Sequence, residues 1–430
     1  MPALNNKMML NIEQLAEVFY SGCKTQEAVG VESEKLLVYK DSLKAVKYDD
    51  IVKVLNSFDE AEWTKVYEGS SLIGLKGKAG NVTLEPGSQI EISLKPFEKI
   101  KDIAENLMQF YSDLAVHAEK IGARVLDSGI QPVSTYENIK IIPKKRYDFM
   151  TKYLPLRGSE PFIMMRETAG IQANFDYKSE EDAVFKLSLA LKMSPVISAV
   201  YSNSPVRAGK LTGLKSNRAA SWLKVDEERC GYISRKLFDA PKDFTFKDYT
   251  EILLDVPMIF VYRNGQYFGT VQTFREFMQK GFLGMHPQIS DWENHLSLYF
   301  PDVRLKSYIE IRNHDAQNAL MTLSVPAFWK GVMYNKDAAL EIESILKKFE
   351  YEDFINLRRI SPIEGISAKL GRYCIIDLIK EFFDISYASL KENGAQEEKY
   401  LEPVYEYIAL KRTPADDVID KFSKLQPGCF

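Results

Sequence analysis

The sequence predicts an α+β fold whose last quarter is helical, and three observations carry that expectation. Short stretches alternate strictly between apolar and polar residues, as half-buried strands do, and they are scattered through the first three-quarters of the chain. Helix-spaced apolar stripes separate them, clearest over 98–123, where Ile100, Ile103, Leu107, Phe110, Leu114 and Ile121 share one face. Past Trp329 the pattern turns helical, with candidate helices at 337–349, 362–382, 398–411 and 415–424. No repeat, low-complexity tract or Pro/Gly/Ser linker breaks the 430 residues. A single domain over 1–430 is expected, with a helical region from about 337 to 430.

Each element has its own signal. Ile12, Leu15, Val18 and Phe19 mark a helix within 10–24. Residues 28–38 read as a strand, with Glu32 and Glu34 on one face. A connecting helix is expected within 41–65, anchored by Ile51, Val54 and Leu55, followed by short strands at 72–77 and 81–87. From Gln89 to Lys95, Ile90, Ile92 and Leu94 oppose Gln89, Glu91, Ser93 and Lys95. A polar segment with Lys144, Lys145 and Arg146 follows Pro132, and such a run is ordinarily solvated. Ile171, Ala173 and Phe175 then oppose Gln172, Asn174 and Asp176. Ser179 caps a helix that runs to about Ser202 and contains Pro195. Residues 204–232 read as a long ordered loop, because Trp222 demands burial. Val256 to Phe268 reads as a hairpin turning at Asn264-Gly265.

Composition excludes several classes. The net charge is −4, with 56 basic against 60 acidic residues, which gives no footprint for a nucleic-acid binder. Cys23, Cys230, Cys374 and Cys429 form no CxxC pair, so neither a zinc site nor a disulfide framework is implied, and free cysteines fit a reducing compartment. No apolar run has signal or membrane-spanning length. The expectation is a cytoplasmic protein with no membrane partner. There is no HExxH, GxSxG or P-loop pattern, and His314 has the surroundings of an ordinary packed histidine.

The chemistry-bearing stretch is Pro301–Arg312. Read as one strand, it puts Arg304, Lys306, Tyr308, Glu310 and Arg312 on one face and Val303, Leu305, Ile309 and Ile311 on the other. Facing solvent, that charged side is an ordinary outer face, the commoner outcome. Facing a cavity, it suits an anionic, phosphate-bearing substrate and a metal. Glu32, Glu34, Glu85 and Glu91 repeat the pattern. Two carboxylates held ~4 Å apart repel by roughly 1 kcal/mol in water and about 4 kcal/mol at an effective dielectric of 20, so a cluster of them needs a cation. Each glutamate alone is ordinarily solvated. Their recurrence on strands with apolar backs favours the cavity, with Arg304 and Lys306 as cations for phosphate or carboxylate oxygens.

Gly30-Val31-Glu32-Ser33-Glu34-Lys35, Leu84 to Ser93, Asn203-Ser204-Pro205, Asp291 to Leu296, Phe300 to Arg312 and Val325 to Trp329 follow one another over about 28–335, and in that order they resemble the plant and proteobacterial type of glutamate–cysteine ligase. The resemblance implies a glutamine synthetase-like antiparallel sheet curled into a funnel with helices outside. It also implies ATP-dependent ligation of the glutamate γ-carboxylate to the cysteine amine, the first step of glutathione biosynthesis. Mg²⁺ ligands would be Glu32, Glu34, Glu85, Glu91 and Glu310. Arg146, Arg218 and Arg312 would hold substrate carboxylates or the phosphorylated intermediate, and Glu310 and Arg312 would be the catalytic pair. Glutamate, cysteine and ATP are then the partners of a monomer or homodimer. The plant enzymes' redox cysteines have no counterpart in Gly281 to His286, and no transit peptide is recognisable. Two alternatives stay open: a related ligase with another amine acceptor, and an inactive nucleotide- or glutamate-binding homologue.

Overall fold

The computed structural model describes residues 10–232 and 234–424. Its centre is a nine-stranded antiparallel sheet. The strands are β1 (Val29–Tyr39), β2 (Trp63–Glu68), β3 (Ser71–Gly77), β4 (Gly80–Leu84), β5 (Ile90–Phe97), β6 (Ala123–Leu126) and β7 (Gly170–Phe175). After the ribbons β8 (Val206–Arg207) with β9 (Lys210–Leu211), and β10 (Phe260–Arg263) with β11 (Gln266–Gly269), come β12 (Val303–Leu305) and β13 (Ile309–Asp315). The sheet order is β12-β13-β7-β1-β5-β4-β3-β2, with β6 pairing β1.

The period-two pattern decides which way each strand faces. Val31, Ile92, Ile171, Ala173, Phe175, Ile309 and Ile311 are buried in one continuous core. Three helices cover that face: Ile100–Glu119, Glu180–Val200 and Ala319–Met333. Glu180–Val200 is long and apolar enough to cross a membrane, yet 89% of its apolar window is buried inside the protein. Its N-cap is Ser179, as its sequence signal requires. The hairpin at Asn264-Gly265 is also as expected.

Four expectations are corrected. Pro301–Arg312 is a hairpin, in which β12 and β13 pair antiparallel and Lys306 N–H donates to Tyr308 O at 2.8 Å across the tip. The helix expected over 362–382 is two helices, Tyr351–Glu364 and Ile375–Glu392, parted by a short two-stranded ribbon. Gly365 ends the first with φ of 59°, a conformation other residues resist. Within 41–65 only Tyr48–Asn56 is helical, because Trp63 already opens β2. The loop expected over 204–232 holds a ribbon and two short helices, Asn217–Trp222 and Glu227–Cys230. The helix Ala319–Met333 was hidden by Pro326 and by an apolar pattern that runs all round it, as a fully buried helix requires.

Candidate active site

The polar side of the sheet encloses a cavity of about 280 Å³. Strand alternation and register bring its wall together. Glu34 lies opposite Glu91, Glu91 opposite Thr83, and Glu32 opposite Gln172. Glu85 stands at the turn after β4. Arg304 and Arg312 close one side from β12 and β13. Lys144, Arg146 and Tyr147 enter from the start of the helix Lys145–Tyr153, and Arg218 and Trp222 from Asn217–Trp222.

The carboxylates are held apart by few donors. Glu34 accepts from Gly170 N–H at 2.6 Å, Glu32 from Asn174 Nδ2 at 2.9 Å, and Glu91 from Thr83 Oγ1 at 3.0 Å and Ser93 Oγ at 3.1 Å. Burial, and then the neighbouring Glu85, push Glu34 up to about 7. Glu91 rises well above the usual carboxylate range through burial and the charges of Glu32, Glu85 and Glu34. Glu32 rises through burial and Glu310. The nearby cations Lys306, Arg218 and Arg312 do not offset burial and mutual repulsion, and a divalent cation would. Among the described residues no three carboxylate, imidazole or thiol groups gather tightly enough to hold one ion. An ion there would be held through one or two carboxylates at a time, with waters and substrate phosphates completing its shell.

Glu310 behaves differently. Its side chain is fully buried, and Arg304 grips it with Nε and with Nη2 at 3.1 Å. Lys306 Nζ donates to Oε1 at 2.9 Å and Arg312 Nη1 to Oε2 at 2.8 Å. Burial alone would raise its pKa, but Arg304, Lys306 and Arg312 hold it well below the usual carboxylate range. Each oxygen already accepts two hydrogen bonds, so none is open to a metal. The expected ligand is instead a clamp that aims Arg312. Lys306 is spent on Glu310 and on the Tyr308 hydroxyl at 3.2 Å, and Arg304, although it lines the cavity, is committed as well, donating Nη1 to Tyr299 O at 2.5 Å beside its two bonds to Glu310.

The arginines differ in how far they are committed. Arg312 also donates to Gln172 Oε1 at 3.0 Å and lies 5.5 and 5.9 Å from the ring centres of Phe300 and Trp222, which touch each other edge to face. Arg218 donates Nη2 to Arg312 O at 2.8 Å, while its Nε is buried without a partner, as is the Nε of Arg146. Neither Arg146 nor Arg218 forms an ion pair with a described carboxylate. Such donors are free to receive an anion. Sequence reasoning missed Lys144, Tyr147, Gln172 and Trp222 as wall residues. Gln172 had a usable signal, its place on the polar face of an alternating strand. Two quoted motifs are architectural: Asn203 N–H and Ser204 Oγ bind the buried Asp315 at 2.9 and 2.6 Å, and Asp291 pairs with Arg263.

Comparisons with known proteins bear on the same residues. Two crystal structures share the fold: glutamate–cysteine ligase of Francisella tularensis in complex with AMP, at TM-score 0.52 and 15% identity over 93% of this chain and 85% of that one, and a bifunctional glutathione synthetase of Pasteurella multocida, at 0.53 and 12% over 97% and 52%. The expected α+β architecture, an antiparallel sheet with outer helices and a helical C-terminal part, is thereby borne out. In sequence, the chain is 34% identical to the chloroplastic glutamate–cysteine ligase A of Oryza sativa subsp. indica over 96% of its own length and 85% of the relative's. It is 34% identical to the chloroplastic glutamate–cysteine ligase of Arabidopsis thaliana over 96% and 80%. Those names overturn the expected cytoplasmic placement, since free cysteines report a reducing environment and cannot select among reducing compartments. Residues 28–423 match Glutamate-cysteine ligase family 2 (GCS2), from the first glutamate strand into the last described helix, and the chain belongs to that family of ligases.

Proposed function

We propose that the cavity binds ATP, L-glutamate and L-cysteine and joins the glutamate γ-carboxylate to the cysteine amine through a γ-glutamyl phosphate, releasing ADP and phosphate. The observation that carries this is the opposition of Glu32, Glu34, Glu85 and Glu91 to the uncommitted cations Arg146 and Arg218 in one cavity. A carboxylate is a poor electrophile, and phosphorylation activates it. That transfer brings an anion to a triphosphate, so it needs charge neutralisation more than a nucleophilic side chain. Mg²⁺ would be held by Glu32, Glu34, Glu85 and Glu91 and would neutralise phosphate charge. Arg146 and Arg218 match amino-acid carboxylates as planar forks, and Arg312, fixed by Glu310 and Gln172, presents a third. Arg304 serves the nucleotide side as a fixed positive charge, its donors held by Glu310 and Tyr299 O.

The whole chain acts as one catalytic domain with small-molecule partners only, neither nucleic acid nor membrane, as a monomer or homodimer. Supporting this, the core runs unbroken from Leu15 to Ile408, through the helical region. The test is ADP release from purified protein with ATP, Mg²⁺, glutamate and cysteine. Release that depends on both amino acids is expected. Release with another amine and none with cysteine would point to a related ligase, and nucleotide binding without turnover would point to an inactive homologue.

A further inference from the structure

Lys144 lines the cavity at the residue before the helix Lys145–Tyr153, and the site as described leaves it without a task. Its Nζ donates to the Tyr147 hydroxyl at 3.3 Å and lies 4.9 Å from the centre of that ring. The buried Tyr147 is fixed in turn, donating to Leu84 O at 3.0 Å and lying 3.3 Å from Glu85 Oε1. Lys144 forms no ion pair with a described carboxylate. A largely desolvated, unpaired ammonium is costly, and a fold that holds one on a rigid aromatic support is set up to meet an anion.

Two facts select the anion. Lys144 stands beside Tyr147, whose hydroxyl touches Glu85, whereas Arg218 crosses Gly170 and donates to Arg312 O, so the two cations stand on different sides of the cavity. The two also differ in shape. A guanidinium is a planar fork suited to a carboxylate, while an ammonium is a compact charge with three rotatable donors. Such a group can follow phosphoryl oxygens whose geometry changes during transfer.

We propose that Lys144 is a catalytic residue that contacts the phosphoryl group passing from ATP to the glutamate γ-carboxylate, an inference that rests on the proposed function. In that step a carboxylate oxygen forms a bond to the γ-phosphorus, the bond to the bridging oxygen breaks, and ADP leaves with that electron pair. Lys144 remains an ammonium throughout.

The experiment compares wild type, Lys144→Met, Lys144→Gln and Lys144→Arg in full-length protein. Phosphoryl transfer is isolated by following scrambling of ¹⁸O between the βγ-bridge and the β-nonbridging positions of ATP, with Mg²⁺ and glutamate present and cysteine absent. Glutamate affinity by calorimetry and circular dichroism report integrity. Scrambling should fall about 100-fold in the Met and Gln variants and recover at least tenfold in Arg, with glutamate affinity within about threefold of wild type. Wild-type scrambling in either neutral variant would overturn the proposal, as would a defect confined to glutamate affinity or to the KM for cysteine. If wild type neither scrambles nor turns over, the function itself fails, a result distinct from wild-type scrambling that Lys144 does not affect.

Discussion

Glu310 and Glu34 are two glutamates on one polar sheet face with opposite electrostatics. Three cations surround Glu310, so its ionised form is strongly favoured, and that stability is present above the unfolded pKa and lost as pH falls toward the folded one. Glu310→Gln should destabilise the protein by about 3–5 kcal/mol, because it leaves Arg304, Lys306 and Arg312 facing a neutral amide. Thermal unfolding at pH 7 checks this. Glu34 is raised to about 7 by burial and Glu85, so the folded state prefers its protonated form. That preference contributes stability below the unfolded value and is lost as pH rises toward 7. Glu34→Gln should therefore raise the melting temperature of metal-free protein by about 2–4 °C at pH 8, and by much less at pH 5. Added Mg²⁺ should shrink the difference, and an equal gain at both pH values would contradict it.

At the level of elements, the β12–β13 hairpin and the start of β7 set the site's geometry. A three-residue tip preserves side-chain parity, so Arg304 pairs directly with Glu310, and residues assigned to one strand face in the sequence remain on one face in the hairpin. The face was therefore legible although the element was not, since period two is indifferent to a tip of odd length. Gly170 opens β7 where the Arg218 guanidinium crosses, and an added Cβ would lie 2.4 Å from Arg218 Nη2. Gly170→Ala should keep the fold while raising the KM for glutamate about tenfold or more, and unchanged kinetics would remove Arg218 from substrate binding.

For the whole molecule, the helical region holds the site from behind. Arg358, on the helix Tyr351–Glu364, donates to Asp302 at 2.7 and 3.0 Å and to Cys230 O at 2.6 Å. Asp302 O accepts from Arg312 N–H at 2.9 Å, so one ion pair links the distal helices to a cavity arginine. Arg358→Met should cost about 3–5 kcal/mol of stability, the loss expected when a largely buried ion pair loses one partner. It should also weaken glutamate binding at temperatures where the protein stays folded. Calorimetric unfolding together with the KM for glutamate tests both, and full stability with wild-type KM would show the link to be idle.

Local chemistry determined much of this protein from sequence alone. Period-two alternation revealed the strands and their polar faces, Ser179 marked its helix start, and Glu32, Glu34, Glu85 and Glu91 stood out because carboxylates on strands with apolar backs demand an explanation. Tertiary structure decided what spacing does not encode. It brought Lys144 and Arg146 out of an ordinary-looking basic run and into the cavity, because Tyr147 anchors that segment against Leu84. It turned Glu310 from a metal ligand into a clamp, because register and the hairpin tip place three cations around it. A residue's partners across a sheet lie far away in sequence, and ionic roles depend on those partners more than on the residue's own type.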